Sequence, residues 1–256
     1  MMKSMKEPVM KKENWAATVV GFVLILAILS AAVVLFFAVQ APAAESYTAE
    51  SAVLSAKDDM VSFTLLLDSL QKSTETTVSY LPVFESDGAA SLLPAGSISI
   101  GEHTIPLSKL SFSGSDSQIS LCAGGLIRSD RGDSVWLSFP KAIAENRNAV
   151  FVIPLYQGEF SRGASAAGIP LSALYRGEIR YTCTVPPDTD DTTDDTVYLS
   201  YTGEDTLLWQ AAFSELSFRY PWCFSQPQIS GNTVYSEVLP DGVRSIEIIS
   251  PEYVIT

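Results

Sequence analysis

Hydrophobic and polar positions divide the chain into three stretches of different period. The first, Trp15–Val39, is 25 residues of almost wholly apolar sequence inside a segment, 14–44, that contains no charged residue. A helix of that length rises ~37 Å, whereas the hydrocarbon core of a bilayer is about 30 Å thick. The pattern predicts a transmembrane helix over residues 14–42. Its candidate membrane-facing residues are Trp15, Gly21, Phe22, Phe36 and Phe37.

Charges on either side of this stretch predict an orientation. Four lysines outnumber two glutamates before residue 15, and Glu45 and Glu50 follow the apolar residues. This asymmetry favours a cytoplasmic basic tail over 1–13 and an extracellular remainder, so we expect a single-pass protein of the cell membrane. A cleaved secretory signal is the alternative, since Ala41-Pro42-Ala43 resembles a cleavage site. Both interpretations place the rest of the chain outside the cell.

The second stretch has helical periodicity. Its apolar residues follow one another in alternating steps of four and three: Ala49, Val53, Ala56, Met60, Phe63, Leu67 and Leu70. Such a stripe is typical of an amphipathic helix. We expect a helical extension over 43–72, continuous with the apolar helix. Its apolar face is expected to pack on the following domain through Val53, Met60, Phe63, Leu67 and Leu70, although a coiled coil between two copies is the alternative partner.

The third stretch, 73–256, has the pattern of a β-rich domain, with short β-branched and aromatic runs between Gly, Pro, Asp and Ser. The predicted strands are Thr76–Phe84, Ser97–Ile100, His103–Leu107, Gln118–Cys122, Ser134–Phe139, Ala149–Tyr156, Glu178–Val185, Thr196–Tyr201, Thr233–Val238 and Arg244–Ile249. Asp205–Leu216 has apolar residues at helical spacing. The expected fold class is therefore α+β: a long N-terminal transmembrane-to-amphipathic helix packed on a sandwich-like, antiparallel, extracellular head.

Composition restricts the partners. The formal net charge is −13, so the body of the protein repels phosphate backbones and nucleic acid is not expected as a partner. Membrane lipid is expected as a partner through the apolar helix, and other envelope subunits through the head.

An acidic low-complexity segment separates two of the predicted strands. Its carboxylates are weak candidates for a calcium site: Asp188, Asp190, Asp191, Asp194 and Asp195. The alternative is a solvated loop that like charges keep extended, which we favour because the segment lacks the glycine and the closing glutamate of an EF-hand. No cofactor is expected.

Three cysteines, Cys122, Cys183 and Cys223, suit an oxidising exterior in which one pair can form a disulfide. We expect Cys183–Cys223, because both lie near aromatic strands in the C-terminal half, while Cys122 adjoins two glycines. Three buried free thiols are the alternative.

Residues for catalysis are sparse. His103 is the only histidine, and the sequence contains no nucleophile elbow, zinc-binding helix, phosphate-binding loop or dinucleotide fingerprint. We expect no enzymatic activity. The most plausible enzyme alternative is a hydrolase that uses two converging carboxylates.

Two segments of the sequence resemble those of known protein families. Residues 21–28, Gly-Phe-Val-Leu-Ile-Leu-Ala-Ile, with the helix behind them, resemble the N-terminus of archaeal type IV pilin-like and archaellin-like surface proteins. The short tryptophan-containing segment Leu207–Phe213 after Val197–Tyr201 is similar to that of an uncharacterised group of archaeal membrane-anchored proteins. The resemblance implies an apolar helix that runs into an amphipathic helix and then a β-rich head. It also implies pilin-like subunits as partners.

Three functions follow from these patterns. The first is a non-enzymatic, pilin-like structural or interaction component of the cell envelope. The second is an extracellular binding module for carbohydrate or cations, with Trp136, Tyr156 and Trp222 as contacts. The third is an anchored hydrolase. A flat surface patch favours the first, an aromatic-lined groove the second, and a cleft with converging carboxylates the third.

Overall fold

A computed structural model of the 256-residue chain describes residues 22–23, 25–35, 56–71, 77–81, 89–114, 117–163, 169–187 and 196–256. The chain divides into two compact units, Met1–Ser51 and Ala52–Thr256. In the first unit the described residues are helical and their large apolar side chains, such as Phe22 and Val34, are exposed.

The second unit is mostly β. Helix α1 covers residues 56–70 and helix α2 covers Thr206–Arg219. The strands are β1 (Thr77–Leu81), β2 (Ala89–Ile100), β3 (His103–Ser113), β4 (Ser117–Cys122), β5 (Gly125–Asp130), β6 (Asp133–Ser138), β7 (Lys141–Glu145), β8 (Asn148–Val152), β9 (Leu155–Gln157), β10 (Ser161–Gly163), β11 (Ile169–Thr184), β12 (Tyr198–Thr202), β13 (Gln228–Ser230), β14 (Thr233–Glu237) and β15 (Ser245–Ile255).

The strands form two sheets. One sheet has six strands in the order β1-β11-β15-β8-β7, with β9 also paired to β15. The other has nine strands in the order β13-β14-β12-β2-β3-β4-β5-β6, with β10 also paired to β2. All pairs are antiparallel except those of β15 with β8 and β9, which are parallel. The six-stranded sheet is therefore mixed.

Turn chemistry explains the tight hairpins. The β4–β5 hairpin has a two-residue loop, Ala123-Gly124, and both residues have positive φ (49° and 77°). Two positive φ values are what a type I′ turn requires, and this turn twists in the sense of the flanking strands. The predicted turn at Gly101-Glu102 joins β2 to β3, where Ile100 pairs with His103.

Helix α1 supplies one wall of the hydrophobic core. The buried residues of its face, Ala56, Met60, Phe63, Leu67 and Leu70, form one cluster with residues of both sheets. The Tyr253 hydroxyl of β15 donates to the Leu67 carbonyl oxygen at 2.9 Å, and Lys141 pairs with Asp68 at 2.6 Å. The side chains predicted to pack on the head thus lie in the core, except Val53, which lies outside the described residues.

The predicted α+β fold class with one long N-terminal helix is wrong. The described helical residues near the N-terminus span at most 22–35 and 56–70, and neither run approaches the ~30 Å needed to cross a bilayer at 1.5 Å per residue. The second run is also amphipathic, with Asp58 exposed and Phe63 in the core. The strictly antiparallel sandwich is likewise incorrect, because β15 runs parallel to β8 and β9.

The membrane-anchor prediction and the single-pass localisation are corrected by the same observation. Across the part of the chain that the structure describes, no helix combines the length and the apolar character needed to span a membrane. Of the residues assigned to the anchor, Phe22 lies in a described helical run, whereas Trp15, Gly21, Phe36 and Phe37 lie outside the described residues.

Other differences concern strand bounds. The predicted strand Ala149–Tyr156 is two strands, β8 and β9, and β2 begins at Ala89 rather than near Ser97. Strands β5, β7, β10 and β13 were not predicted. They are three to six residues long and mostly polar or small, so they lack the apolar alternation on which strand prediction depends.

We expect Phe63→Asp to destabilise the protein by more than the ~3–5 kcal/mol of truncating a buried Phe, because a carboxylate is also buried. Leu65→Asp is the matched control, since Leu65 lies on the same helix with its side chain 64% exposed. Denaturant unfolding of each variant measures the effect. Equal midpoints for the two variants would contradict the placement of α1 in the core.

Candidate functional site

The exposed aromatic side chain of Trp222 lies in a surface depression. This depression of about 680 Å³ is lined by Arg147, Trp222, Glu237, Leu239, Pro240, Asp241 and Gly242. Its volume falls in the range of small-molecule sites, roughly 300–1,000 Å³. The depression is open to solvent and combines one large ring with three charged side chains.

Trp222 is held outward by the end of helix α2. Pro221 follows the last helical turn. The residue before a proline avoids the helical backbone conformation, so the helix ends before Pro221 and the chain turns. Cys223 and Phe224 then bury their side chains, which leaves the preceding Trp222 59% exposed. The Tyr220 ring contacts the Trp222 ring edge-on, with centroids 6.4 Å apart and an interplanar angle of 84°.

Backbone hydrogen bonds fix this turn against the loop before β15. The Cys223 amide donates to the Tyr220 carbonyl at 2.9 Å, and the Leu239 amide donates to the Cys223 carbonyl at 2.8 Å. The loop closes on itself through the amides of Gly242 and Val243, which both donate to the Leu239 carbonyl. The base of the depression is therefore built from paired backbone groups.

Gly242 is the residue at which the loop before β15 packs against the backbone of Trp222. A Cβ atom at this position would overlap the Trp222 carbonyl oxygen. Only glycine lets the two loops meet here, which is a general use of glycine where backbones approach closely.

The charged side chains come from two places in the chain, the β7–β8 turn and the connection from β14 to β15. Arg147 lies in the β7–β8 turn, where Asn146 and Arg147 both have positive φ, and its carbonyl accepts from the Arg244 amide at 2.8 Å. Glu237 ends β14, and Asp241 lies in the loop that follows. Among the described residues, none of Arg147, Glu237 and Asp241 forms an ion pair. Their polar groups remain available to a ligand.

The other two aromatic candidates, Trp136 and Tyr156, pack in the interior of the domain. Trp136 packs edge-on against Trp209 at 5.4 Å, and its Nε1 donates to the Leu208 carbonyl at 2.7 Å. Tyr156 is 2% exposed and stacks on Tyr253, and burial raises the pKa of its hydroxyl. The structure thus does not bring Trp136 or Tyr156 to the depression of Trp222.

The acidic calcium candidates, Asp188, Asp190, Asp191, Asp194 and Asp195, lie outside the described residues. Within the described ranges, no group of three or more His, Cys, Asp or Glu side chains is placed to hold a metal ion. The His103 ring packs against Tyr181, with centroids 5.5 Å apart.

The expected disulfide between Cys183 and Cys223 is not formed, and all three cysteines are free thiols. Cys183, near the end of β11, packs against the β2–β3 turn. A Cβ atom added to Gly101 in that turn would lie 2.9 Å from the Cys183 Sγ. Cys223 is buried beneath the turn after α2. Burial raises the pKa of the Cys122 thiol to about 12.

Fold and depression together define a two-sheet β domain with a concave, aromatic surface site. Comparison with protein-family models, with curated proteins and with solved structures finds no match. The functional argument therefore depends on the residues of the depression themselves. Sequence reasoning named Trp222 but missed Arg147, Glu237 and Asp241, whose only signals were the Asn-Arg and Asp-Gly turns.

Gly242→Ala should displace the Trp222 turn, because the new methyl group overlaps the Trp222 carbonyl. We expect a loss of about 1–3 kcal/mol, the usual cost of overpacking, and a changed near-ultraviolet circular dichroism spectrum from the moved indole. Gly163→Ala is the control, since a Cβ there meets no atom within 4 Å. A Gly242→Ala protein with wild-type stability and spectrum would show that the two loops are not held in contact.

Thiol labelling distinguishes the three cysteines. With a small alkylating reagent at pH 8, we expect Cys183 to react first because it is only half-buried, while Cys122 and Cys223 react after unfolding. Peptide mapping of the labelled protein measures the order. Labelling of Cys122 in the folded protein would contradict its burial, and a Cys183–Cys223 disulfide in the unlabelled fraction would restore the sequence-based pairing.

Proposed function

We propose that the protein is a non-catalytic binding domain that recognises a neutral sugar ring on the exposed face of Trp222. The observation that carries the proposal is one exposed tryptophan, held by its backbone and by Tyr220, beside Arg147, Glu237 and Asp241, which form no ion pair with any residue that the structure describes. This arrangement supports the binding-module interpretation of the sequence more than the other two.

The chemistry of the lining selects a ring with one apolar face and a polar rim. An indole offers a large, rigid apolar surface at low entropic cost, so the C–H face of a sugar can stack on it. Sugar hydroxyls donate to the carboxylates of Glu237 and Asp241 and accept from the Arg147 guanidinium. Because two carboxylates face one guanidinium, an anionic ring is disfavoured by like-charge repulsion.

Openness of the depression favours binding over hydrolysis. A glycosidase needs one carboxylic acid that burial keeps protonated near neutral pH. Asp241 is exposed, and Glu237 is partly exposed on the same open surface. The site lacks the dry surroundings that prepare a general acid.

A second candidate function is a structural or interaction component, in line with the pilin-like resemblance, which stays a prediction. Leu207 and Phe218 are 74% and 79% exposed on helix α2. They lie eleven positions apart, about three turns, and so share one face of the helix. Exposed apolar side chains on one face favour contact with another protein.

Trp222→Ala should weaken sugar binding at least tenfold, because the stacking surface is removed. Isothermal titration calorimetry against a panel of neutral methyl glycosides measures the affinity, and methyl glucuronide tests the expected rejection of anions. Phe218→Ala is the control, since it removes an exposed aromatic ring outside the depression. If no glycoside binds the native protein, or if Trp222→Ala binds as tightly as the native protein, the proposal is wrong.

A further inference from the structure

Three hairpins of the domain close with the same kind of turn, and one of them lacks the usual residue. The two-residue loops Ala123-Gly124, Arg131-Gly132 and Asn146-Arg147 join β4 to β5, β5 to β6 and β7 to β8. Both residues of each loop have positive φ. This backbone favours asparagine or aspartate at the first position and glycine at the second. The third hairpin has an arginine, with φ of 63°, where the other two have glycine.

A positive φ is costly for arginine. The left-handed backbone brings the Cβ atom of an L residue too close to a neighbouring carbonyl oxygen. Glycine has no Cβ atom, and asparagine offsets the clash with local hydrogen bonds, so Asn146 suits its position and Arg147 does not. Backbone strain of this kind persists only where the surrounding structure imposes it, and it concentrates at functional sites.

The fold uses the backbone of Arg147 rather than its side chain. The carbonyl oxygen accepts from the Arg244 amide at 2.8 Å and from the Ser245 amide at 3.4 Å, which ties the turn to the start of β15. Glycine would keep both bonds. The side chain is exposed and forms no ion pair with any residue that the structure describes. Within the described ranges, no ion pair of the guanidinium therefore offsets the cost of the backbone.

The surroundings of Arg147 distinguish it from the glycine of the second hairpin. A Cβ atom on Gly132 would meet no described atom within 4 Å, so that turn borders open space. Arg147 instead lines the depression, together with Trp222 and the carboxylates of Glu237 and Asp241. The strained residue thus coincides with the candidate ligand site.

We infer that Arg147 is the residue by which the depression selects its ligand, and that this ligand is a neutral glycoside with two free neighbouring hydroxyl groups. The inference rests on the proposed sugar site. A guanidinium is a planar fork that donates two parallel N–H bonds, and two vicinal hydroxyl oxygens of a sugar ring can accept them. Carboxylates and phosphates also fit this fork, but Glu237 and Asp241 repel them.

The strain at Arg147 is tested without any ligand. Arg147→Gly removes the strain and keeps the backbone bonds, so we expect the melting temperature to rise by about 2–4 °C. Arg147→Lys is the matched control, because a lysine has the same cost at this φ, and it should melt within about 1 °C of the native protein. Differential scanning calorimetry measures both variants. If Arg147→Gly melts no higher than Arg147→Lys, arginine is not strained here and the inference is wrong.

The selection of vicinal hydroxyls is tested with deoxy sugars. The probes are methyl α-glucopyranoside, methyl α-mannopyranoside and methyl β-galactopyranoside, each with its 3-deoxy and 6-deoxy analogue. The 3-hydroxyl belongs to both vicinal pairs of such a ring and the 6-hydroxyl to neither. By isothermal titration calorimetry of the native protein, we expect loss of the 3-hydroxyl to weaken binding by about tenfold, the effect of one charge-assisted hydrogen bond, and loss of the 6-hydroxyl to have little effect.

The two tests meet in Arg147→Lys. A lysine ammonium is a point charge without the fork, so this variant should bind the parent glycoside more weakly and lose most of the difference between parent and 3-deoxy sugar. Arg176→Lys is the matched control, since Arg176 is exposed on β11 and does not line the depression, and it should keep both the native affinity and that difference.

The outcomes separate this inference from the proposed function. If the native protein binds glycosides but Arg147→Lys keeps the full 3-deoxy effect, Arg147 does not select the ligand, while the sugar site stands. If the native protein binds no glycoside, the sugar site and the role of Arg147 are both wrong.

Discussion

The stacking of Trp209 between strands of the nine-stranded sheet is the contact on which the second half of the domain depends. Its ring lies on Tyr201 of β12 and meets the edge of Trp136 from β6, the last strand at one end of the sheet. The Trp136 indole also donates to the Leu208 carbonyl. Two distant strands of one sheet thus meet on the same turn of helix α2. A sheet of nine strands can do this only if it curls strongly, which the normal right-handed twist of β-sheets permits.

Curling positions two cavities, the depression of Trp222 and a narrow crevice of about 50 Å³ between helix α2 and strands β7 and β8. Once α2 is fixed at its first turns by Trp209, its last turn carries Leu216 into the core and Tyr220 to the wall of the crevice. Pro221 then directs the chain outward, and the contact between Gly242 and the Trp222 carbonyl holds it there. The exposed indole is therefore the end of a chain of packed residues that starts at the aromatic stack. An exposed ring fixed in this way has little conformational entropy left to lose on binding.

Local patterns in the sequence predicted local structure well. Apolar residues that recur at alternating intervals of four and three positions predicted one apolar face of a helix. Its residues Met60, Phe63, Leu67 and Leu70 are buried in the core. Helix α2 was also predicted to within a few residues. The single long N-terminal helix was incorrect, because the described helical runs near the N-terminus are both short. Parallel pairing of β15 with β8 was not predictable either, because nearly a hundred residues separate partners such as Asn148 and Ser245.

In the candidate site, too, local sequence indicated one residue, while long-range pairing determined which residues surround it. Trp222 was a candidate only as an aromatic residue that could contact a ligand, together with Trp136 and Tyr156. The charges around it are brought together by the topology of the fold. Arg147 reaches the depression because β8 pairs with β15, and the Arg244 amide bonds to the Arg147 carbonyl at the start of that pairing.

Tyr220 connects the two cavities without making them one site. Its hydroxyl bonds to Ala142 at the crevice, and the edge of its ring supports Trp222 at the depression. The two surroundings nevertheless differ in kind, since one is mostly apolar, and the other is open and lined by Trp222 and three charged side chains. A substitution of Tyr220 would disturb both cavities, so binding at the depression must be assigned with residues that line the depression alone.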